Sequence, residues 1–163
     1  MAISKDKKRD ILATLTDALT EATSIAFVGF NKLTVADASK LRRELKNAGV
    51  RYYVAKKTLL KLALTRQSYK GEMPELPGEV AIAWTGGDIT APARGVYTFG
   101  KKLKGALTLL GGVFEGAFLD MQKMTAIATI PPMQVLRGMF ANIISSPLQR
   151  FAIALSEVAK TKN

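Results

Sequence analysis

The residues best suited to chemistry lie where the sequence changes from an extended to a helical pattern. Residues 50–54, VRYYV, have the composition of a strand, and residues 56–64 have leucines at helical spacing. Four residues at the start of this helix, or one turn later, can contact phosphate: Lys56, Lys57, Thr58 and Lys61. A helix N-terminus has free backbone N–H groups and partial positive charge, which together bind phosphate. This junction is therefore a predicted phosphate-binding site.

Basic residues on the neighbouring segments are predicted to enlarge this site. A helix begins after Thr34, an N-cap residue with Asp37 three positions later. Thr34 itself and six further cations are assigned to the same RNA-binding surface: Lys8, Lys32, Arg42, Arg43, Lys46 and Arg51. We expect the two helices to lie side by side and form one basic surface. The alternative, for any one segment, is an ordinary solvated face. Residues 1–70 contain fifteen basic and six acidic side chains, a balance that favours nucleic acid.

Composition excludes several kinds of site. The chain of 163 residues has a formal charge of +11 and contains neither cysteine nor histidine. Disulfides, thiolate or imidazole metal sites and His- or Cys-based catalysis are therefore excluded. No phosphate-binding glycine motif follows a strand, so we expect no enzyme activity and no cofactor. We expect neither a signal peptide nor a membrane span, and we expect a cytoplasmic location.

The order of the elements predicts an α+β fold. A helix over 5–22 precedes strand 24–30, and two strand–helix–strand units follow, separated by an insert. This is the split β-α-β pattern of a ferredoxin-like sheet with an extra N-terminal helix; a doubly wound parallel sheet is the alternative. Gly111-Gly112 predicts a bulge in the fourth strand, and a short helix is expected over 119–127. Pro131-Pro132 indicates a boundary between domains 1–130 and 131–163.

The second domain is predicted to be a helical tail. Residues 133–145 and 147–160 have helical patterns, with a break or kink expected near Ser146-Pro147. Four apolar residues in the second helix recur at coiled-coil spacing and form a predicted partner-binding stripe: Leu148, Phe151, Leu155 and Val158. The alternative is that this stripe packs on its own domain. Arg150, Lys160 and Lys162 against Glu157 favour an acidic partner.

Residues 33–64, LTVADASKLRRELKNAGVRYYVAKKTLLKLAL, resemble the signature region of bacterial large-subunit ribosomal protein ten, the anchor of the ribosomal stalk. Residues 111–120, GGVFEGAFLD, and residues 130–149 resemble the same family. Lys57 replaces the asparagine of the family's Lys-Asn-Thr-Leu motif. The resemblance spans essentially the whole chain.

The resemblance implies a ferredoxin-like domain bound to large-subunit ribosomal RNA, beside ribosomal protein eleven. It also implies a C-terminal helix bound to dimers of the acidic stalk protein, which recruit translational GTPases. Because the tail ends soon after Val158, we expect one or two dimers. The alternative functions are a membrane-surface protein or a general RNA-binding adaptor.

Overall fold

The computed structural model describes residues 5–31, 33–67, 69–103 and 105–161, except for the side chain of Lys5. The chain forms two compact units, Met1–Ile130 and Pro131–Asn163. The first contains a sheet with helices on both faces. The second contains one long helix.

The sheet of the first unit has five strands: β1 (Ser24–Phe30), β2 (Arg51–Val54), β3 (Glu79–Thr85), β4 (Leu107–Phe114) and β5 (Ala117–Asp120). Their order is β2-β3-β1-β4-β5, and all four ladders between them are antiparallel. The predicted α+β class is confirmed, and the parallel doubly wound alternative is wrong.

Helices cover both faces of this sheet: α1 (Lys5–Glu21), α2 (Val35–Asn47), α3 (Lys57–Arg66), α4 (Ala91–Lys102) and α5 (Met121–Ala128). We call the face under α2, α4 and α5 face A; β1 contributes Ala26 and Val28 to its core. The face under α1 and α3 is face B, to which β1 contributes Ile25 and Phe27. Burial on both faces explains why β1 is apolar at almost every position.

The segment after β4 differs from its prediction. Glu115 and Gly116 have positive φ angles of 50° and 78°, which is the geometry of a two-residue hairpin turn. The chain therefore returns along β4 as β5, and the helix predicted from Leu119 starts only after Asp120. Asp120 caps α5 by accepting a hydrogen bond from the Met121 N–H. Glu-Gly is a weaker hairpin signal than Asn-Gly, so the sequence did not indicate this strand.

The bulge predicted in β4 is confirmed. Phe27 of β1 pairs with Gly111 and Val28 pairs with Leu109, so Leu110 has no partner in β1. Gly111 has a φ of 147°, and a Cβ there would lie 2.7 Å from the carbonyl oxygen of Leu119. Glycine is therefore required both by the backbone conformation and by the close approach of β5.

The second unit consists of α6 (Met133–Thr161), a single helix in which Pro147 is internal. A break near Ser146-Pro147 is wrong, because the assigned helix continues through the proline; the alternative, a kink, stays a prediction. Proline lacks an N–H, so one hydrogen bond of the helix is missing there. None of the described residues of α6 is buried.

Candidate nucleic-acid interface

Two helix N-termini lie at the same end of the sheet. Both β1 and β2 run antiparallel to β3, so they run parallel to each other and finish at one end, which we call the exit end. Three residues after β2, α3 begins with Lys57; five residues after β1, α2 begins with Val35. The topology therefore brings Thr34 and the Lys56–Thr58 corner to the same end of the sheet.

The start of α3 has no side-chain cap among the residues that the structure describes. Lys56 is its N-cap residue, has extended backbone angles and makes no side-chain capping bond, and the first turn contains no acidic residue. Lys56, Lys57, Thr58 and Lys61 are all exposed. Free N–H groups, partial positive charge and ammonium groups therefore remain available to an external anion.

The start of α2 is capped, in contrast. The Thr34 hydroxyl accepts a hydrogen bond from the Asp37 N–H at 3.2 Å and donates one to the Asp37 carboxylate at 2.6 Å. This confirms the predicted N-cap. The hydroxyl thus orients the start of α2, and RNA binding by Thr34 stays a prediction.

The outer surface of α2 is basic. Leu41 and Leu45 are buried on face A, while Arg42, Arg43 and Lys46 are exposed. Val35, in the first turn of α2, is apolar but 85% exposed. Lys40 is a further exposed cation on α2 that the predicted site omitted, although its charge and helical position were visible in the sequence.

Arg42 lies near the edge strand β2. Burial raises the pKa of the Tyr52 phenol above its usual value, and the positive charge of Arg42 acts in the opposite direction. Tyr52 packs toward face A and Tyr53 toward face B. Both rings are therefore partly buried strand residues, and neither forms a stacking platform on the open sheet.

The basic helices do not form the side-by-side surface that the sequence predicted. Because α2 lies on face A and α3 on face B, their cations flank the β2 edge from two sides. Lys8 is exposed on α1, which also lies on face B. Lys32 lies outside the described residues. The predicted cations of α2 and α3 therefore lie on two faces of the sheet instead of covering one face.

Of the predicted RNA-binding cations in the described ranges, only Arg51 has an ion pair. Its guanidinium lies 3.2 Å from the Glu21 carboxylate, and about two thirds of each side chain is exposed. Exposed pairs of this kind contribute only about 0–1 kcal/mol. Phosphate can therefore replace Glu21 as the partner of Arg51 at little cost.

An open cavity of about 400 Å³ adjoins the α3 corner at the exit end. Its lining includes Phe30, Val54, Glu79 and the two lysines of the corner, Lys56 and Lys57. The sequence did not predict this cavity, because its walls come from three strands whose order and register are set only in the folded sheet.

The predicted stripe on α6 is exposed. Leu148 is 75% exposed, Phe151 66%, Leu155 56% and Val158 60%. Their spacings of three, four and three place them along one side of the helix. A second run of exposed apolar residues precedes Pro147, and it includes Met139, Phe140 and Ile143.

The antiparallel sheet, its basic edge and the exposed apolar helix define the class: a small basic α+β protein of the kind that contacts nucleic acid. Within the described ranges, no helix is both long and apolar enough to cross a membrane. The family model for ribosomal protein L10 matches residues 3–101. That is more than half of the chain, and the chain belongs to this family.

Two curated relatives agree with this membership. The chain is 34% identical to the large ribosomal subunit protein uL10 of Shouchella clausii, over 96% of this chain and 94% of the relative. It is 29% identical, with the same coverage, to the protein of that name from Staphylococcus carnosus. The chain is accordingly a structural, non-enzymatic component of the large ribosomal subunit in the cytoplasm.

Proposed function

We propose that the first unit binds large-subunit ribosomal RNA through the cations around the β2 edge. The single observation that supports this most strongly is the uncapped start of α3, where Lys56, Lys57 and Thr58 surround free N–H groups without an acidic neighbour in the first turn. Cations are unfavourable at a helix N-terminus, so an anion bound there would compensate the two lysines.

Different residues have different parts in this contact. The α3 corner binds phosphate through backbone and side chain together, while Arg42, Arg43 and Lys46 contact phosphates from face A. Arginine suits this task because its planar guanidinium can bind two phosphate oxygens at once. The site therefore recognises backbone position and shape, as expected for folded RNA.

Charge reversal tests this proposal. The variant Arg42→Glu/Arg43→Glu/Lys56→Glu/Lys57→Glu should lose measurable binding to an RNA fragment from the stalk base, because all four residues are exposed cations. Filter binding at several salt concentrations gives the affinity, and circular dichroism checks the fold. The matched single variants are Lys57→Glu and Lys123→Glu, since Lys123 is an exposed lysine on α5. Unchanged affinity of the fourfold variant would contradict the proposal.

We further propose that α6 binds dimers of the acidic stalk protein and so supports recruitment of translation factors. The support is the exposed stripe formed by Leu148, Phe151, Leu155 and Val158. Fully burying four such side chains would contribute about 6–12 kcal/mol before the costs of association. An amphipathic partner helix can bury such a stripe against its own apolar side.

A charge placed in the stripe tests the second contact. Phe151→Asp should abolish binding of the stalk dimers, because the buried aromatic contact is replaced by a desolvated carboxylate. Ile153→Asp is the control, since Ile153 is 61% exposed and lies on the opposite side of α6 by helical spacing. Native mass spectrometry reports both the loss and the number of dimers, for which one or two stays our prediction. Equal binding by the two variants would contradict the assignment of the stripe.

The position beside ribosomal protein eleven also stays a prediction. Protein–protein crosslinking on the assembled large subunit would test this neighbour directly.

A further inference from the structure

We propose that the cavity beside the start of α3 holds one unstacked guanine base of the bound RNA. This inference rests on the proposed function, because it names the part of the RNA that enters the site. It adds base recognition to a surface otherwise suited only to phosphate.

The cavity is built by three neighbouring strands. Phe30 ends β1, Glu79 starts β3 directly opposite it, and Val54 ends β2 on the far side of β3. By the alternation of each strand, all three side chains belong to face A. They therefore lie on one face at the exit end, where Phe30 pairs directly with Glu79, and Val54 pairs with Ala81, two residues further along β3.

The size and the apolar walls suit a planar ring. The volume of about 400 Å³ falls within the range of roughly 300–1,000 Å³ typical of small-molecule sites. Phe30 and Val54 are partly exposed there. Unstacked RNA bases commonly stack on aromatic side chains, and Phe30 provides such a ring.

Glu79 selects the base by its hydrogen bonding. Its carboxylate is exposed, and an ionised carboxylate can only accept hydrogen bonds. Guanine is the base whose Watson–Crick edge presents two adjacent donors, the N1–H and the N2 amine. The other bases place a carbonyl or ring-nitrogen acceptor beside their donor, which a carboxylate repels.

Lys56 and Lys57 supply the charge that completes the match. Both line the cavity, and neither pairs with Glu79 in the described structure. A nucleotide presents a negative phosphate and, in guanine, a neutral donor edge. The cavity presents cations beside an acceptor, and this complementarity favours a nucleotide over an acidic peptide, whose carboxylates Glu79 would repel.

Ultraviolet crosslinking of the full chain to the stalk-base RNA fragment tests the proposal without any mutation. Mass spectrometry should find guanosine attached to a peptide containing Phe30 or Val54. Attachment of another base would overturn the inference.

Affinity measurements provide the second test. Phe30→Leu and Glu79→Gln should each weaken binding of the same RNA about tenfold, through the lost stacking and the lost charged hydrogen bonds. Inosine in place of unpaired guanosine should weaken the wild type similarly and the Glu79→Gln variant much less. Melting curves check that Phe30→Leu folds.

The control is Glu75→Gln, an exposed acid of the preceding loop. Removing a negative charge that does not line the cavity should leave RNA binding equal or slightly tighter. If Glu79→Gln behaves like Glu75→Gln while Lys57→Glu still weakens binding, the guanine site is refuted and the proposed RNA binding stands. If none of these variants changes the affinity, the proposed function itself fails.

Discussion

Neutralising the two lysines of the α3 corner should change how RNA binding depends on salt. In Lys56→Gln/Lys57→Gln, each lost phosphate contact lowers the slope of log K against log salt by about 0.7–0.9. Two contacts lower the slope by about 1.6. The contribution of the two lysines to the binding free energy vanishes near 1 M salt, so the loss of affinity grows as the salt concentration falls below that value. The variant should therefore bind stalk-base RNA about a hundredfold more weakly at 50 mM salt and only about tenfold more weakly at 200 mM.

The same change should not destabilise the protein. Both lysines are exposed and have no ion pair in the described structure. Removing cations from a helix N-terminus is favourable by about 0.3–1 kcal/mol, so the melting temperature should stay equal or rise slightly. Fluorescence anisotropy over a salt series gives the slope, and Lys123→Gln is the control, with less than a twofold change expected. A variant whose plot stays parallel to the wild type would refute phosphate binding at this corner.

Three further predictions concern the scaffold. Thr34→Ala should destabilise the first unit by about 1 kcal/mol through loss of the α2 cap, whereas Thr34→Ser should not; denaturant titration separates them. Gly112→Ala should lower the free energy of unfolding by about 1–3 kcal/mol, because the added Cβ meets the carbonyl oxygen of Ile25. Gly138 has open space around it, so Gly138→Ala should instead increase the helicity seen by circular dichroism. The hydrogen bond from the Arg94 guanidinium lowers the pKa of Asp88. The ionised Asp88 carboxylate therefore stabilises the folded protein at neutral pH, and this stabilisation is lost as pH falls below about 4. Between about pH 7 and pH 3, the melting temperature of Asp88→Asn should accordingly fall less than that of the wild type. An equal fall in both proteins would contradict this.

Signals confined to a few adjacent residues were sufficient to predict much of the fold. The run SIAFVGF predicts a buried strand over 24–30, and β1 has those bounds. Thr34 with Asp37 predicts the start of α2, and Gly49, which has a φ of 72°, predicts its end. These features depend on capping and backbone conformation within one turn, so the surrounding structure need not be known.

Predictions that needed information from distant residues were less successful. The β5 strand was missed because pairing with β4, rather than its own composition, makes it extended. A break or kink was expected near Ser146-Pro147, and the break is wrong, because a helix can continue past a proline with the loss of one hydrogen bond. Both errors arise where tertiary or long-range helical context outweighs the local preference of the residues.

The sequence by itself determined that this protein is basic, lacks the side chains of thiol and imidazole chemistry, and places lysines at the start of a helix. Charge, composition and capping are local properties, so they can be recognised along the chain. Only the tertiary structure decided that α2 and α3 lie on opposite faces and that Phe30, Glu79 and Val54 lie on one face at the same end of the sheet. Strand order and register bring together residues far apart in sequence, because burial on both faces of the sheet stabilises one arrangement of the strands.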